Sequence, residues 1–244
     1  MQRSTLEQAL RSVDLQTYPD IEVLVINAKP HPHFDLSGYA GKKSIRILER
    51  LDSALSRSSA ANLGLDVASG KYALFLDDDD WIEPEHIKAL VEQLECAGEG
   101  YIASYSATRC VGADGSPRDE KFGSSYSQIR LLTGNYIPIH SCLFRRTERT
   151  RHLRMDESLP LYEDWDFWMQ LSAFGEFIFH QGETAVYRLG SGSGFGVDGW
   201  GSDAARSAYS ALLKKWRLRW TSNQLENIVE RARLSYDLEH QTNI

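Results

Sequence analysis

The spacing of apolar residues divides the first half of the chain into alternating helices and strands. Apolar side chains at helical spacing over residues 6–13 predict an amphipathic helix. The apolar run from Ile21 to Ile26, bounded by turn-forming residues, predicts a strand buried on both faces. The same patterns predict further strands at 44–49 and 72–76 and further helices at 60–67 and 87–94. This alternation indicates an α/β protein whose sheet is parallel or mostly parallel, with helices on its faces.

The second half of the chain is less regular. Its pattern predicts strands near 101–110, 141–145 and 176–180 and helices near 163–174, 203–220 and 223–240. The stretch from Gly190 to Gly201 is rich in glycine and serine, which predicts a loop. We therefore expect one α/β domain over residues 1–200, followed by a helical extension over residues 201–244.

Composition narrows the class of protein. A chain of 244 residues, 42% hydrophobic and 25% charged, is typical of a globular protein with one sizeable domain. The net charge of −7 argues against nucleic-acid binding, which needs a basic surface. Cys96, Cys110 and Cys142 match neither a metal-binding nor a disulfide pattern, which favours a reducing, cytoplasmic setting. No stretch approaches the roughly 20 apolar residues of a membrane-spanning helix.

Four consecutive aspartates, Asp77 to Asp80, follow directly on the predicted strand at 72–76. In open α/β sheets, ligands bind at the carboxyl ends of strands. Alternate side chains of an extended backbone point the same way, so Asp77 and Asp79 would converge on one ligand. Oxygen ligands suit Mg²⁺ or Mn²⁺, and a cation would offset the repulsion among the carboxylates. The alternative is a solvated acidic loop ahead of the next helix.

A second acidic cluster, Glu163-Asp164-Trp165-Asp166, begins the predicted helix at 163–174. A carboxylate at this place would accept the proton of a hydroxyl nucleophile, which is general-base catalysis. Acidic residues are equally typical of a first helical turn, because they interact favourably with the helix dipole. Both interpretations stay open on the residues alone.

Three further residues are candidate contacts for an acceptor or a phosphate: His140, Arg188 and Trp165. A lone histidine is more often structural than ligand-binding. Arginine matches the geometry of phosphate, but Arg188 fits the rim of a strand equally well. Trp165 belongs to the second acidic cluster.

The helix near 203–220 interleaves basic and aromatic residues. These are Lys214, Lys215, Trp216, Arg217, Arg219 and Trp220. Such a segment can lie on an anionic membrane surface, which would place the protein peripherally at the inner face of the membrane. The more common arrangement packs the tryptophans into the protein and leaves the charges as a solvated face.

Taken in order, several of these stretches resemble the family-2 glycosyltransferases, which have the GT-A fold. The matching stretches lie at residues 6–13, 16–19, 21–25, 60–65, 70–72, 75–81 and 163–168. They include Leu76-Asp77-Asp78-Asp79-Asp80-Trp81 and Glu163-Asp164-Trp165-Asp166, and the resemblance covers roughly residues 5 to 190. The ordered set carries the resemblance, since each piece alone is weakly specific.

The resemblance implies a Rossmann-like domain that binds a nucleotide-sugar donor through Mn²⁺ or Mg²⁺. Asp77 would lie near the ribose of the donor, and Asp79 would bind the metal that bridges its diphosphate. Asp77 would also contribute to the metal site. Asp78, Asn27 and Asn62 are further donor-binding candidates.

The resemblance also implies a reaction that inverts the anomeric carbon without a covalent intermediate. Asp164 would be the catalytic base that deprotonates the acceptor hydroxyl, with Glu163 beside it and Asp80 as a supporting carboxylate near the metal. The metal would offset the charge that develops on the leaving diphosphate. The expected acceptor is a glycan or a lipid-linked glycan, as in polysaccharide biosynthesis.

The sequence departs from the family pattern in three places. The family has a strand upstream of the first helix, whereas this sequence starts at that helix; loss of a central strand would leave unpaired sheet edges. The acidic pair that usually contacts the base is replaced by Ile26-Asn27-Ala28. The usual Ala-Arg-Asn is Ala60-Ala61-Asn62, which removes an arginine expected near the donor.

Two other functions remain open at this stage. A nucleotidyltransferase also uses an acidic metal site on an α/β sheet, but it usually has a glycine-rich basic loop near the N-terminus, and none is seen here. A catalytically inactive relative that serves as a binding or scaffold module would explain the three departures. The retained aspartates at 77, 79 and 164 argue against that module.

Overall fold

The structure is a computed structural model, and it describes residues 4–29, 36, 41, 43–50, 53–190 and 202–230. Helices α1 to α6 span Ser4–Asp14, Arg57–Val67, His86–Ala97, Gln128–Thr133, Glu163–Leu171 and Asp203–Trp216. Strands β1 to β8 span Val23–Asn27, Ile45–Glu49, Tyr72–Leu74, Trp81–Ile82, Tyr101–Val111, Pro117–Phe122, Cys142–Arg145 and Glu176–Arg188. A turn of 3₁₀ helix at Ile139–Ser141 leads into β7, and residues 222–230 are helical.

The larger sheet has six strands and is organised around β5. Its order is β3-β7-β5-β8-β4, and β6 also pairs with β5. Nearly every residue of β5 is buried, because the strand is apolar or small on both faces and neighbouring elements cover both. The hairpin from β5 to β6 turns through Gly112–Ser116, where Gly115 has a φ of +82° that favours glycine.

The smaller sheet contains β1 and β2, which pair in parallel from Val23 opposite Ile45 to Asn27 opposite Glu49. Within the part of the chain that the structure describes, no strand pairs with the other edge of β1 or with the outer edge of β3. The unpaired edges expected from the sequence are therefore present. A cavity of about 1580 Å³ begins in the groove between these two strands.

Helices fix the two sheets to each other. Helix α2 packs on β1, and Gly64 of the helix lies next to the side chain of Ile26. Helix α1 lies beside β4, and the side chain of Gln16 donates to the Glu83 carbonyl at 2.7 Å. The carboxylate of Glu22, just before β1, accepts hydrogen bonds from the backbone of Ser69 and Gly70.

The predicted elements are largely confirmed, but the predicted direction of the strands is wrong. The fold class is confirmed, with helices around a central sheet. Two strand pairings are parallel, β1 with β2 and β5 with β8, whereas the other four are antiparallel. One reason is that β6 returns beside β5 through a tight hairpin, which makes the two strands antiparallel.

The C-terminal helix α6 is part of the main core. Leu212 and Trp216 belong to the same buried cluster as Trp165 and Trp168 of α5. The predicted domain boundary at residue 200 and the predicted loop at 191–201 lie outside the described residues. The last predicted helix is described only as far as residue 230.

Candidate active site

The four aspartates lie in a turn rather than in an extended strand. Strand β3 ends at Leu74, and the amide of Asp80 donates to the carbonyl of Asp77 at 3.3 Å. Carboxylate oxygens of Asp77, Asp79 and Asp80 all lie within 4.8 Å of one another. The turn therefore gathers three carboxylates, where the extended backbone expected from the sequence would align only Asp77 and Asp79. The Asp78 side chain is exposed.

Asp80 is the buried support of this turn. Its side chain is 1% exposed and lies 3.1 Å from Nδ1 of the fully buried His140. Its other oxygen accepts the amide hydrogen of Arg188, at the end of β8, at 2.8 Å. Burial alone would lower the pKa of His140, but Asp80, followed by Asp77 and Asp79, raises the pKa above its ordinary value. His140 thus fits the structural alternative, in which it holds Asp80 in place.

Burial raises the pKa of Asp77 to about 6, and the neighbouring carboxylates of Asp80 and Asp79 add to the increase. Arg57 opposes this effect, because its Nη2 lies 3.4 Å from Oδ2 of Asp77. Carboxylates this close repel one another, and a bound cation would offset that repulsion. Three oxygen donors at these separations fit Mg²⁺ or Mn²⁺, which prefer carboxylates and leave positions for substrate oxygens.

The second acidic cluster begins α5 and faces the same cavity as the aspartate turn. Oδ2 of Asp164 accepts a hydrogen bond from the side chain of Asn135 at 2.8 Å, and Oδ1 accepts the Trp165 amide hydrogen at 2.7 Å. Burial raises the pKa of Asp164, and these donors together with Arg57 oppose the rise. A raised pKa increases the proton affinity of a general base.

Glu163 is 6% exposed and pairs with Arg57, whose Nε lies 3.0 Å from Oε1. Arg57 therefore bridges the aspartate turn and the start of α5. Sequence reasoning missed both Arg57 and Asn135. The signal for Arg57 was its position at the start of α2, four residues before Ala61. Nothing in the sequence pointed to Asn135.

Asp166 of the same cluster faces away from the cavity and fixes α6. It is fully buried and accepts hydrogen bonds from Lys215 at 2.9 Å and from the indole of Trp216 at 2.8 Å. These two residues, which formed part of the predicted membrane-binding pattern, therefore point into the protein. Leu218 is 84% exposed between the two arginines of that pattern, and membrane contact stays a prediction. Within the described residues, no helix has the length and apolar character needed to cross a membrane.

The remaining predicted site residues occupy different places. Asn27 lines the cavity at the carboxyl end of β1 and donates to Glu49 of β2 at 2.9 Å. Asn62 instead exchanges hydrogen bonds with the backbone of Met155, so its described contacts hold the loop before α5. Donor binding by these residues and by Asp78 stays a prediction.

Arg188 and Trp165 line the cavity and also make contacts within the protein. The guanidinium of Arg188 donates to the carbonyl of Asp79 at 3.1 Å and to the side chain of Gln8 at 2.6 Å, and it lies over the ring of Trp81. Trp165 is 2% exposed and stacks on Tyr209 of α6. Contacts of Arg188, Trp165 or His140 with an acceptor or a phosphate stay predictions.

The cavity is lined by residues of both sheets. Asn27 lies at one side, the aspartate turn at the other, and Asp164 faces the space between. The family model described as Glycosyl transferase family 2 matches residues 2–153, more than half of the chain. The chain belongs to glycosyl transferase family 2.

Curated relatives of this family-2 chain span a range of glycosyltransferases. It is 23% identical over 167 residues to the uncharacterized glycosyltransferase YwdF of Bacillus subtilis, covering 67% of this chain and 61% of that one. It is 27% identical over 189 residues to the amylovoran biosynthesis glycosyltransferase AmsB of Erwinia amylovora, covering 71% and 62%. The chain thus spans less than two thirds of the length of these relatives.

Solved structures confirm the fold. Staphylococcus aureus TarS 1–349 in complex with UDP-GlcNAc matches with a TM-score of 0.63 at 16% identity, covering 85% of this chain and 62% of that one. The mannosyltransferase PcManGT of Pyrobaculum calidifontis, in complex with GDP-Man and Mn²⁺, matches with a TM-score of 0.54 at 14% identity, covering 95% and 76%. This family-2 chain therefore has the GT-A fold.

Proposed function

We propose that this chain transfers a sugar from a nucleotide-sugar donor to a hydroxyl group of a glycan or lipid-linked glycan, with inversion at the anomeric carbon. The observation that carries the proposal is that the aspartate turn and Asp164 face one cavity, where Arg57 pairs with both Asp77 and Glu163. The family supplies the class of reaction, and this geometry supports the roles of the residues.

Asp79, Asp77 and the supporting carboxylate of Asp80 would hold a divalent cation. Bound there, the cation would supply electrostatic stabilisation of the departing diphosphate. Buried His140 and the Arg188 amide hold Asp80, so the turn keeps its shape before any ligand binds. The groove at Asn27 and Glu49 would receive the nucleoside.

Asp164 would act as the base. Its carboxylate accepts the proton of the acceptor hydroxyl, the oxygen forms a bond to the anomeric carbon, and the bond to the diphosphate breaks on the opposite face. Asn135 holds the carboxylate in one orientation through its 2.8 Å hydrogen bond. The raised pKa of Asp164 favours proton acceptance, as general-base catalysis requires.

Relatives indicate which acceptors to test. AmsB acts in amylovoran biosynthesis by its name, and a hyaluronan synthase of Pasteurella multocida is 24% identical over 200 residues. UDP-GlcNAc and GDP-Man are bound in the TarS and PcManGT structures. We therefore propose a UDP- or GDP-linked sugar as donor and a polysaccharide or its lipid-linked precursor as acceptor.

Calorimetry with a panel of UDP- and GDP-sugars, with and without Mn²⁺, tests the proposal. We expect one donor to bind in a metal-dependent manner, and Asp79→Ala to abolish that dependence. Asp203→Ala is the matched control, because Asp203 is 97% exposed and lies on α6 away from the cavity. A folded protein that binds no donor would instead support the inactive binding or scaffold module.

A further inference from the structure

Arg57 is the cation that connects the two acidic parts of the site. It is the first residue of α2, and Ser56 caps that helix by accepting a hydrogen bond from the Ser59 amide. The guanidinium reaches Asp77 at 3.4 Å and Glu163 at 3.0 Å, while 54% of the Arg57 side chain remains exposed. Burial would lower the pKa of Arg57, but Asp77, Glu163 and Asp164 raise it overall.

The pair of Arg57 with Asp77 contributes little to stability, because both side chains are more than a third exposed, the contact is long, and an exposed pair contributes roughly 0–1 kcal/mol. The pair with Glu163 compensates the charge of a nearly buried carboxylate. A half-exposed guanidinium that faces a cavity instead retains donors for an anionic ligand. Arginine suits this role, because its planar fork matches phosphate oxygens in a bidentate manner.

The other arginine beside the aspartate turn is already engaged. The guanidinium of Arg188 donates to two backbone carbonyls, of Asp79 and Ala113, and to Gln8. These bonds attach β8 to the turn and to α1. Releasing Arg188 toward a ligand would break all three, whereas Arg57 would exchange only carboxylate contacts.

Arg57 lies on the same face of α2 as Ala61, the position where the family pattern has an arginine. Ala61 lies four residues after Arg57, one turn further along the same face of α2, and it lines the same cavity. An arginine side chain is about as long as one turn of helix, so the guanidinium of Arg57 can reach the part of the cavity that residue 61 faces.

We propose that Arg57 binds the diphosphate of the donor and takes the place of the arginine absent at Ala61. In the donor-free protein it neutralises Asp77 and Glu163. When a diphosphate enters, the guanidinium shifts its hydrogen bonds to phosphate oxygens. This inference rests on the proposed function, because it assumes that the donor carries a diphosphate.

The test compares UDP and GDP with uridine and guanosine as calorimetric probes in Mn²⁺. Arg57→Ala should weaken binding of the nucleoside diphosphate by about tenfold or more and leave the nucleoside unchanged. Arg57→Lys should give an intermediate loss, because the charge remains but the bidentate fork is gone. Arg206→Ala is the control, since Arg206 is an exposed arginine of α6 that pairs with exposed Asp203 and does not line the cavity.

A second-site variant makes the test specific. Adding Ala61→Arg to Arg57→Ala should restore most of the lost diphosphate affinity, which a purely structural role at position 57 would not allow. Diphosphate binding that is unchanged in Arg57→Ala, or an equal loss for the nucleoside, would overturn the assignment while leaving the proposed function intact. A wild-type protein that binds neither UDP nor GDP would reject both.

Discussion

The two sheets of this family-2 chain contain similar apolar strands but are held in different ways. The six-stranded sheet surrounds a strand, β5, that is paired on both sides and buried on both faces. Strand β1 of the small sheet pairs only with β2 among the described strands, and four of its five residues are half-buried. The metal-binding and base candidates belong to the first region, and Asn27 belongs to the second. The comparison teaches that, under the proposed function, catalysis and nucleoside binding would depend on two sheets that are held with unequal strength.

The largest expected effect concerns the base. Asp164→Asn keeps the shape of the side chain and the contact with Asn135 but removes the proton acceptor. Sugar transfer should fall by about 10²- to 10⁴-fold, whereas the Kd for the donor should change by less than about threefold. Steady-state kinetics and calorimetry on the same preparation check this. A variant that retains transfer would show that the base lies elsewhere.

Two leucine-to-alanine substitutions, one at each sheet, compare how much packing at the two sheets contributes to stability. Leu90 of α3 is fully buried against the large sheet, and Leu90→Ala should lower the free energy of unfolding by about 2–5 kcal/mol. Leu24 of β1 is only half-buried, so Leu24→Ala should cost about 1 kcal/mol or less. Urea denaturation measures both. Equal losses would contradict the view that the small sheet is the weaker support.

We expect the stability of the protein in acid to depend on His86, the first residue of α3. This residue is fully buried, and burial together with the charges of His140 and His180 lowers its pKa to about 3. Below pH 6.5 the unfolded chain binds a proton at this position that the folded chain does not. The free energy of unfolding should therefore fall as the pH decreases from 6.5, by about 2 kcal/mol at pH 5 from this group alone.

The variant His86→Asn removes the titrating ring and should flatten this pH dependence. His152→Asn is the matched control, because His152 is exposed. Denaturant titrations at pH 7.5, 6.5 and 5 provide the comparison. A dependence that stays as steep in His86→Asn as in the wild type would assign the effect to the carboxylates.

The smallest expected effect is a loss of donor affinity on substitution of Asn27, at the end of β1 in the small sheet. Asn27→Ala removes the hydrogen bond to Glu49 and should weaken binding of the donor by about three- to tenfold. The change should appear equally with the free nucleoside, because the site of Asn27 is separate from the aspartate turn. A loss confined to the diphosphate would place the nucleoside elsewhere in the cavity.

Local patterns in the sequence predicted most elements but not how they meet. The helix at α1, the strands at β1 and β5, and the aspartate cluster follow from periodicity and turn residues. The antiparallel pairing of β7 with β5 does not, because nothing local records the direction in which a strand re-enters a sheet. The sequence predicted that Asp77 and Asp79 would bind the metal. In the structure a turn also brings the carboxylate of Asp80 into this cluster.

Long-range partners account for the rest. The contact of His140 with Asp80 joins residues 60 positions apart, and the bond from Trp216 to Asp166 spans 50 positions. Arg57 meets Glu163 only because α2 and α5 begin at the same edge of the fold. Charge pairs of this kind depend on tertiary packing, so a single sequence contains no periodic signal for them.

The groove between β1 and β3 has a thermodynamic consequence. Among the described strands no ladder of backbone hydrogen bonds joins the small sheet to the large one, so we expect separation of the two sheets to cost less free energy than global unfolding. A donor that contacts both Asn27 and Asp77 would link the small sheet to the large sheet for as long as it is bound. Under the proposed function, donor binding would therefore stabilise the packing of the small sheet, and we expect the backbone amides of β1 to exchange hydrogen more slowly when the donor is bound.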